Sequence, residues 1–221
     1  MIGALLPASV ATAWRPDDAE QPPLHPEEEA AVARSVDSRR REFTTVRGCA
    51  REALGRLGLP ASAVPSGPRG EPLWPQGVRG SMTHCKGYRA AAVTVDPSIL
   101  SLGMDAEPAL ALPDGFLPGV TLPEELDRLL ATAAAVPGVP FDRLLFSAKE
   151  TVFKVWYPLV RRGLEFEEAD VTVDPDGTFT ARLLVPPPTV AGRPLDRVTG
   201  RWLVRDGLLM TAAVHRAPEA D

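Results

Sequence analysis

The chain has 221 residues, enough for one large domain or two small lobes with a real core, and its 44% hydrophobic and 24% charged content is ordinary for a globular protein. A formal net charge of −5 argues against general nucleic-acid binding, which needs a basic face, and no apolar run approaches the roughly 20 residues that span a bilayer. Cys49 and Cys85 are too few for a disulfide framework, and His25, His84 and His215 are not spaced with them as zinc ligands.

The N-terminus is mildly apolar and ends in small residues, but it lacks a basic leader. This favours a first strand over a signal peptide, and a reducing cytoplasm as the expected location. Residues 26–58 read as helix, with Pro26 and three glutamates at the start, Gly58 at the end and a possible break near Asp37 and Ser38. Phe43, Val46, Ala50, Ala53 and Leu57 recur there at helical spacing, and Arg40, Arg47 and Arg51 share a face beside Arg39 and Arg41. Such a basic face is either solvated or an anion site, since guanidinium groups suit phosphate oxygens.

Residues 65–80 form a Pro/Gly-rich loop, followed by a polar strand from Ser81 to Cys85 and an apolar return from Tyr88. Leu102-Gly-Met-Asp-Ala-Glu107 then predicts a strand with Asp105 and Glu107 on one face, closed by Pro108. Two acids there are either an exposed strand end or a pair bridged by a hard cation such as Mg²⁺.

Thr121-Leu-Pro-Glu124 predicts a capping box opening a helix to residue 135. A second helix, residues 141–157, ends at Pro158. Within it Leu145, Ala148, Val152 and Trp156 make one apolar stripe, while Ser147, Glu150 and Lys154 fall on the other side. That charged strip is either an ordinary Glu–Lys pair or a group held for a ligand or metal, because buried charge must be compensated. Two strand pairs follow, turning at Asp176-Gly177 and Asp206-Gly207. Each half thus runs helices and then antiparallel strands, an order that suggests two similar lobes joined near residues 96–100.

In this order the stretches resemble the Sfp-type 4′-phosphopantetheinyl transferases, in particular an actinobacterial branch similar to the enterobactin-synthase transferase. The resemblance rests on residues 39–51, on Gly70-Glu-Pro-Leu-Trp-Pro75 and on Gly80-Ser-Met-Thr-His-Cys-Lys-Gly-Tyr88. It rests further on Gly103-Met-Asp-Ala-Glu107 and on Phe146-Ser-Ala-Lys-Glu-Thr-Val-Phe-Lys154. It implies an α+β monomer of two similar lobes in pseudo-twofold arrangement, each with helices packed on an antiparallel sheet, and with coenzyme A between them. Residues 1–97 would be the lobe on the 3′-phosphate and adenine side. Residues 98–221 would carry the metal site, the signature helix and the carrier-protein docking surface. The resemblance makes Asp105, Glu107 and Glu150 the Mg²⁺ ligands and sets Lys149 and Lys154 near the diphosphate. Arg39, Arg47 and His84 correspond to residues around the 3′-phosphate, with Arg69 and Thr83 as weaker matches. Ser66 stands where relatives often have lysine.

The implied reaction moves phosphopantetheine from coenzyme A to a serine of an apo acyl or peptidyl carrier protein, as in fatty-acid, polyketide and nonribosomal-peptide synthesis. Its charge accumulates on phosphoryl oxygens, which suits a site of carboxylates, Mg²⁺ and lysines. Asp105, Glu150 and Lys154 are the expected catalytic residues, with Glu150 taking the serine proton directly or through a Mg²⁺-bound water. Residues 108–125, with Leu110, Leu112, Phe116, Leu117 and Val120, are the expected docking segment. The alternatives are a Mg²⁺-dependent hydrolase of coenzyme A or phosphopantetheine, and a non-catalytic module binding coenzyme A or a carrier.

Overall fold

The computed structural model describes residues 1–19 and 22–218. They form two compact units, Pro7–Pro97 and Ser98–Asp221, with Met1–Leu6 belonging to the second.

In the first unit β1 (Ala11–Arg15), β2 (Arg79–Cys85) and β3 (Tyr88–Thr94) make an antiparallel sheet in the order β1-β3-β2. One long helix covers it. The run expected over residues 26–58 is interrupted: α1 is only Pro26–Glu29, and α2 spans Asp37–Arg56. Val36, extended at the N-cap, makes the break, and Gly58 at φ 73° turns the chain beyond the C-terminal end. Ala50, Ala53 and Leu54 of α2 pack with Ala13, Val64, Ala91 and Val93 as the core of this unit.

The second unit has a five-stranded antiparallel sheet, β4-β10-β9-β6-β5. Its strands are β4 (Ile99–Pro108), β5 (Ala169–Val173), β6 (Thr178–Leu183), β9 (Arg197–Arg205) and β10 (Leu208–Arg216). A short pair, β7 (Thr189–Val190) and β8 (Arg193–Pro194), stands apart from it. α3 (Pro123–Ala135) packs on β5, and α4 (Phe141–Val160) on β4 and β10. Leu144, Leu145, Ala148, Val152 and Trp156 of α4 bury against Val171, Phe179, Leu209 and other sheet residues.

Four local expectations need correction. The N-terminal segment is not a strand: Ile2–Leu5 is one 3₁₀ turn that packs on β9 and β10 with Ile2 and Leu5 buried, and the strand begins at Ala11. The capping box sits one residue later, because Thr121 turns its hydroxyl back to Leu117 O and Glu125, not Glu124, accepts the Leu122 N–H at 2.7 Å. Pro158 lies inside α4, whose last turn tolerates the missing N–H, and the helix stops at Arg161 in the left-handed region, φ 57°. Of the two Asp-Gly turns only Asp206-Gly207 has both residues at positive φ; at Asp176-Gly177 only the glycine does.

Both units repeat one device. Glu28 of α1, three residues beyond its N-cap His25, is fully buried and accepts from His25 N–H at 2.9 Å, Val64 N–H at 2.8 Å and Arg51 of α2 at 3.0 Å. Glu125 does the same in the second unit. It accepts from Leu122 N–H and Lys149 Nζ of α4, each at 2.7 Å, and from Val171 N–H at 2.6 Å. In each unit one carboxylate therefore ties a short helix start, the long helix and the chain that follows it.

Candidate active site

α4 carries two stripes. The apolar one fills the core. The second, at helical spacing, consists of Arg143, Ser147, Thr151 and Lys154, and faces β4 and β10. Gly103 lets the two elements approach: a Cβ there would lie 2.3 Å from Thr151 O and 3.0 Å from Val155 Cγ2. Ser101 Oγ donates to Val155 O at 2.8 Å, fixing the same seam.

Asp105, buried in β4, collects this stripe. Lys154 Nζ donates to Asp105 Oδ1 at 2.7 Å and to Met104 O at 3.2 Å, and Ser147 Oγ donates to Asp105 Oδ2 at 2.9 Å. Glu107, two residues on, faces α4 as well and accepts from Arg143 at 2.9 Å. Arg143 also donates to Leu110 O at 3.1 Å and Ala111 O at 2.9 Å, so it ties the chain leaving β4 to the helix.

The acids feel one another. Burial, and then the charge of Asp105, push the Glu107 carboxyl up, with Arg143 and Lys154 opposing. Burial also pushes Glu150 up, and the charge of Asp105 adds to it against Lys154. Among the described residues no three His, Cys, Asp or Glu side chains are gathered as a set that could hold a metal ion. The donor chemistry nevertheless fits a hard divalent cation: oxygen ligands only, buried at Asp105 and half-buried at Glu107 and Glu150, with mutual like charge that a cation would relieve.

Lys149, expected with Lys154 near the diphosphate, has other partners than Lys154. Five residues before Lys154, it leaves the helix on another side and is buried, with its ammonium on Glu125 Oε2 and Phe166 O, both at 2.7 Å. Burial pulls its pKa down, and the pairing with Glu125 opposes that shift.

In the first unit Arg39 of α2 meets His84 of β2, with Arg39 Nη1 at 2.5 Å from His84 Nε2 and Glu42 Oε2 at 3.6 Å from His84 Nδ1. Arg47 is buried: it donates to Val64 O at 3.1 Å and to Ser66 Oγ at 3.0 Å, and stacks on Phe43. Burial lowers its pKa to about 10, Glu28 opposing and the charges of Arg39 and Arg51 adding to the shift. Ser66 is thus a partner of Arg47. Thr83 is buried in β2, and Arg69 is exposed in the loop before it. The shared basic face divides: Arg40 pairs with Glu29, Arg51 with Glu28 and, more loosely at 3.9 Å, the neighbouring Arg39 with Glu42, while Arg47 is held by Val64 O and Ser66.

Of the expected docking segment, Leu112 and Val120 are buried and Leu117 packs against the core, while Leu110 and Phe116 are exposed. Phe116 meets Phe146 edge-on, and Phe146 in turn leans on Phe166. Arg143, Thr151 and Thr211 were not singled out by sequence. Arg143 and Thr151 share the helical period of Ser147, a signal that was available, whereas Thr211 enters only through the pairing of β10 with β4.

Comparison with known proteins finds one family across both units. Residues 27–94 match the 4′-phosphopantetheinyl transferase N-terminal domain, and residues 101–195 match the 4′-phosphopantetheinyl transferase superfamily. The chain is 56% identical to 4′-phosphopantetheinyl transferase Svp of Streptomyces mobaraensis, over 99% of this chain and 90% of that protein. It is 46% identical to 4′-phosphopantetheinyl transferase Npt of Nocardia iowensis, over 97% of this chain and the whole of that one. Identity is also 46% to 4′-phosphopantetheinyl transferase PptT of Mycobacterium tuberculosis, over 86% and 85% of the two chains. With matches across both units and relatives this similar over nearly the whole length, the chain belongs to the Sfp-type 4′-phosphopantetheinyl transferases.

Proposed function

We propose that the protein transfers 4′-phosphopantetheine from coenzyme A to a serine hydroxyl of an apo acyl or peptidyl carrier protein. The observation that carries this reading is the cluster at Asp105, where Lys154 and Ser147 meet one carboxylate and the charge of Asp105 reaches Glu107 and Glu150. In the step, the serine oxygen bonds to the β-phosphorus of coenzyme A. The bond from that phosphorus to the bridging oxygen breaks, and adenosine 3′,5′-bisphosphate leaves. Asp105, Glu107 and Glu150 are the residues that would hold Mg²⁺, whose charge when bound neutralises the diphosphate.

The chain's own groups do the rest. Lys154, a half-buried ammonium, stabilises negative charge on the diphosphate and the departing group. Glu150 receives the serine proton, through a water rather than directly, because a carboxylate that holds a cation is itself a poor base. Arg39, His84 and Arg47 are assigned to the 3′-phosphate, with Arg69 and Thr83 nearby in sequence. The exposed Leu110 and Phe116 are assigned to carrier docking.

The test is mass spectrometry of apo-carriers incubated with the protein, coenzyme A and Mg²⁺. The carrier gains the mass of phosphopantetheine, and Glu150→Gln slows the gain by about 10²–10⁴-fold. Carriers left unmodified while bisphosphate is released from coenzyme A alone would overturn the reading in favour of hydrolysis.

A further inference from the structure

Behind Asp105 lies a chain of three hydroxyls with no solvent exposure, Ser147, Thr151 and Thr211, each at 0%. Thr211 stands directly opposite Asp105 in the β10–β4 register, while Ser147 and Thr151 are one turn apart on α4. Ser147 Oγ lies 2.9 Å from Asp105 Oδ2 and 2.9 Å from Thr211 Oγ1. Thr211 Oγ1 is 3.1 Å from Ser147 O and 2.7 Å from Thr151 Oγ1, and Thr151 Oγ1 is 3.5 Å from Thr211 O.

Each hydroxyl has one proton to give, which limits how the chain can run. Asp105, as a carboxylate, only accepts, so Ser147 spends its proton there. Thr211 then donates to Ser147, at Oγ or at the carbonyl, and Thr151 donates to Thr211. Where Thr211 donates to Ser147 Oγ, the bonds run head to tail into Asp105 and polarise one another in a dry environment. Packing alone does not call for this. Alanine or valine would fill a helix–sheet seam without burying hydroxyls that each need a partner.

We infer that Ser147 and Thr211, backed by Thr151, are positioning residues. They hold Oδ2 of Asp105 so that Oδ1, the oxygen bonded to Lys154, is the one presented to the site. The inference rests on the reading of Asp105 as a site carboxylate. Because the chain bridges α4 and β10, it also locks the rotation of that carboxylate to both layers.

The test compares Ser147→Ala, Thr211→Val, Thr211→Ser and Asp105→Ala in the full chain. Three quantities are read: Mn²⁺ affinity by calorimetry without carrier, kcat and KM for holo-carrier formation, and melting temperature. Ser147→Ala and Thr211→Val are expected to weaken Mn²⁺ binding and kcat by about 10–100-fold, the range for groups that orient a ligand. KM for coenzyme A stays near that of the parent, and Thr211→Ser recovers most of the loss. If the two variants melt lower yet keep the parent's kcat and Mn²⁺ affinity, the hydroxyls serve packing only and the inference falls, while an inactive Asp105→Ala leaves the site reading standing. If Asp105→Ala itself transfers and binds Mn²⁺ normally, the site reading fails and takes the inference with it. Should Ser147→Ala not fold, the contrast between Thr211→Val and Thr211→Ser decides: equal losses in both count against a hydroxyl role.

Discussion

At the scale of single residues, the two lysines of the signature motif divide their work. Lys154 meets Asp105 at the site, whereas Lys149 is sealed between α3 and α4 with Glu125, the two side chains 2% and 0% exposed. A pair so deeply buried is costly to break, because the carboxylate left behind has no water to turn to. Glu125 would keep its two backbone N–H donors but lose the ammonium that neutralises it. Lys149→Met is therefore expected to lose about 3–5 kcal/mol of stability in urea unfolding. A loss under about 1 kcal/mol, the range of exposed pairs, would mean that the ion pair contributes little and that Lys149 has another task. The motif itself did not separate these roles. Lysines five positions apart are plainly on different sides of a helix, but only the position of α3 says which side is interior.

At the scale of elements, the site depends on how closely α4 lies against β4, and Gly103 sets that approach. A methyl group there would meet Thr151 O at 2.3 Å, backbone that cannot swing aside as a side-chain end could. Gly103→Ala should push the helix outward and cost about 1–3 kcal/mol, as overpacking does. The same shift moves Ser147 and Lys154 relative to Asp105, so turnover per folded molecule should fall on the order of tenfold to a hundredfold. Parallel urea melts and carrier-loading rates check both; lost stability with intact turnover would show that the seam tolerates displacement. Much of this element pair was legible in sequence. The apolar period of α4 and the alternation of Asp105 and Glu107 in β4 are local patterns, and local patterns survive without coordinates. What was not legible depends on partners far along the chain. Thr211 gains its meaning from a register that pairs it with Asp105, and Pro158 reads as a stop because the tolerance of a last helical turn is a matter of position.

At the scale of the whole molecule, the likeness of the two units was visible only as an order of elements. The buried Glu28 and Glu125 give it a physical basis, yet in sequence each is one acid among several at an ordinary helix start. Each unit also holds its own acid-sensitive pair, and these set how the molecule responds to pH. Burial pushes Asp18 up, but the hydrogen bond and charge of Arg89, with Thr45 and Arg41, outweigh it and hold the carboxyl low. Asp170 of the second unit is likewise raised by burial and brought lower overall by Arg182 and Arg128. An unfolded aspartate titrates near ~3.9, so below that value the unfolded chain binds more protons than the folded one. The stability from both groups is fully present above ~3.9 and is lost as pH falls through the lower folded values. Glu107 and Glu150, whose carboxyls are raised, work in the opposite sense, but they are common to parent and variant and cancel in the difference. Asp18→Asn and Asp170→Asn should each be less stable than the parent at neutral pH and approach it as acid takes the pH below the lowered folded values, where the parent's own carboxylates are protonated. Because the two pairs have no partner in common among the described residues and lie in different units, their effects should add in the double variant. Urea unfolding from neutral to acid pH measures this, and a deficit that stays constant across the range would place the cause in packing and not in charge.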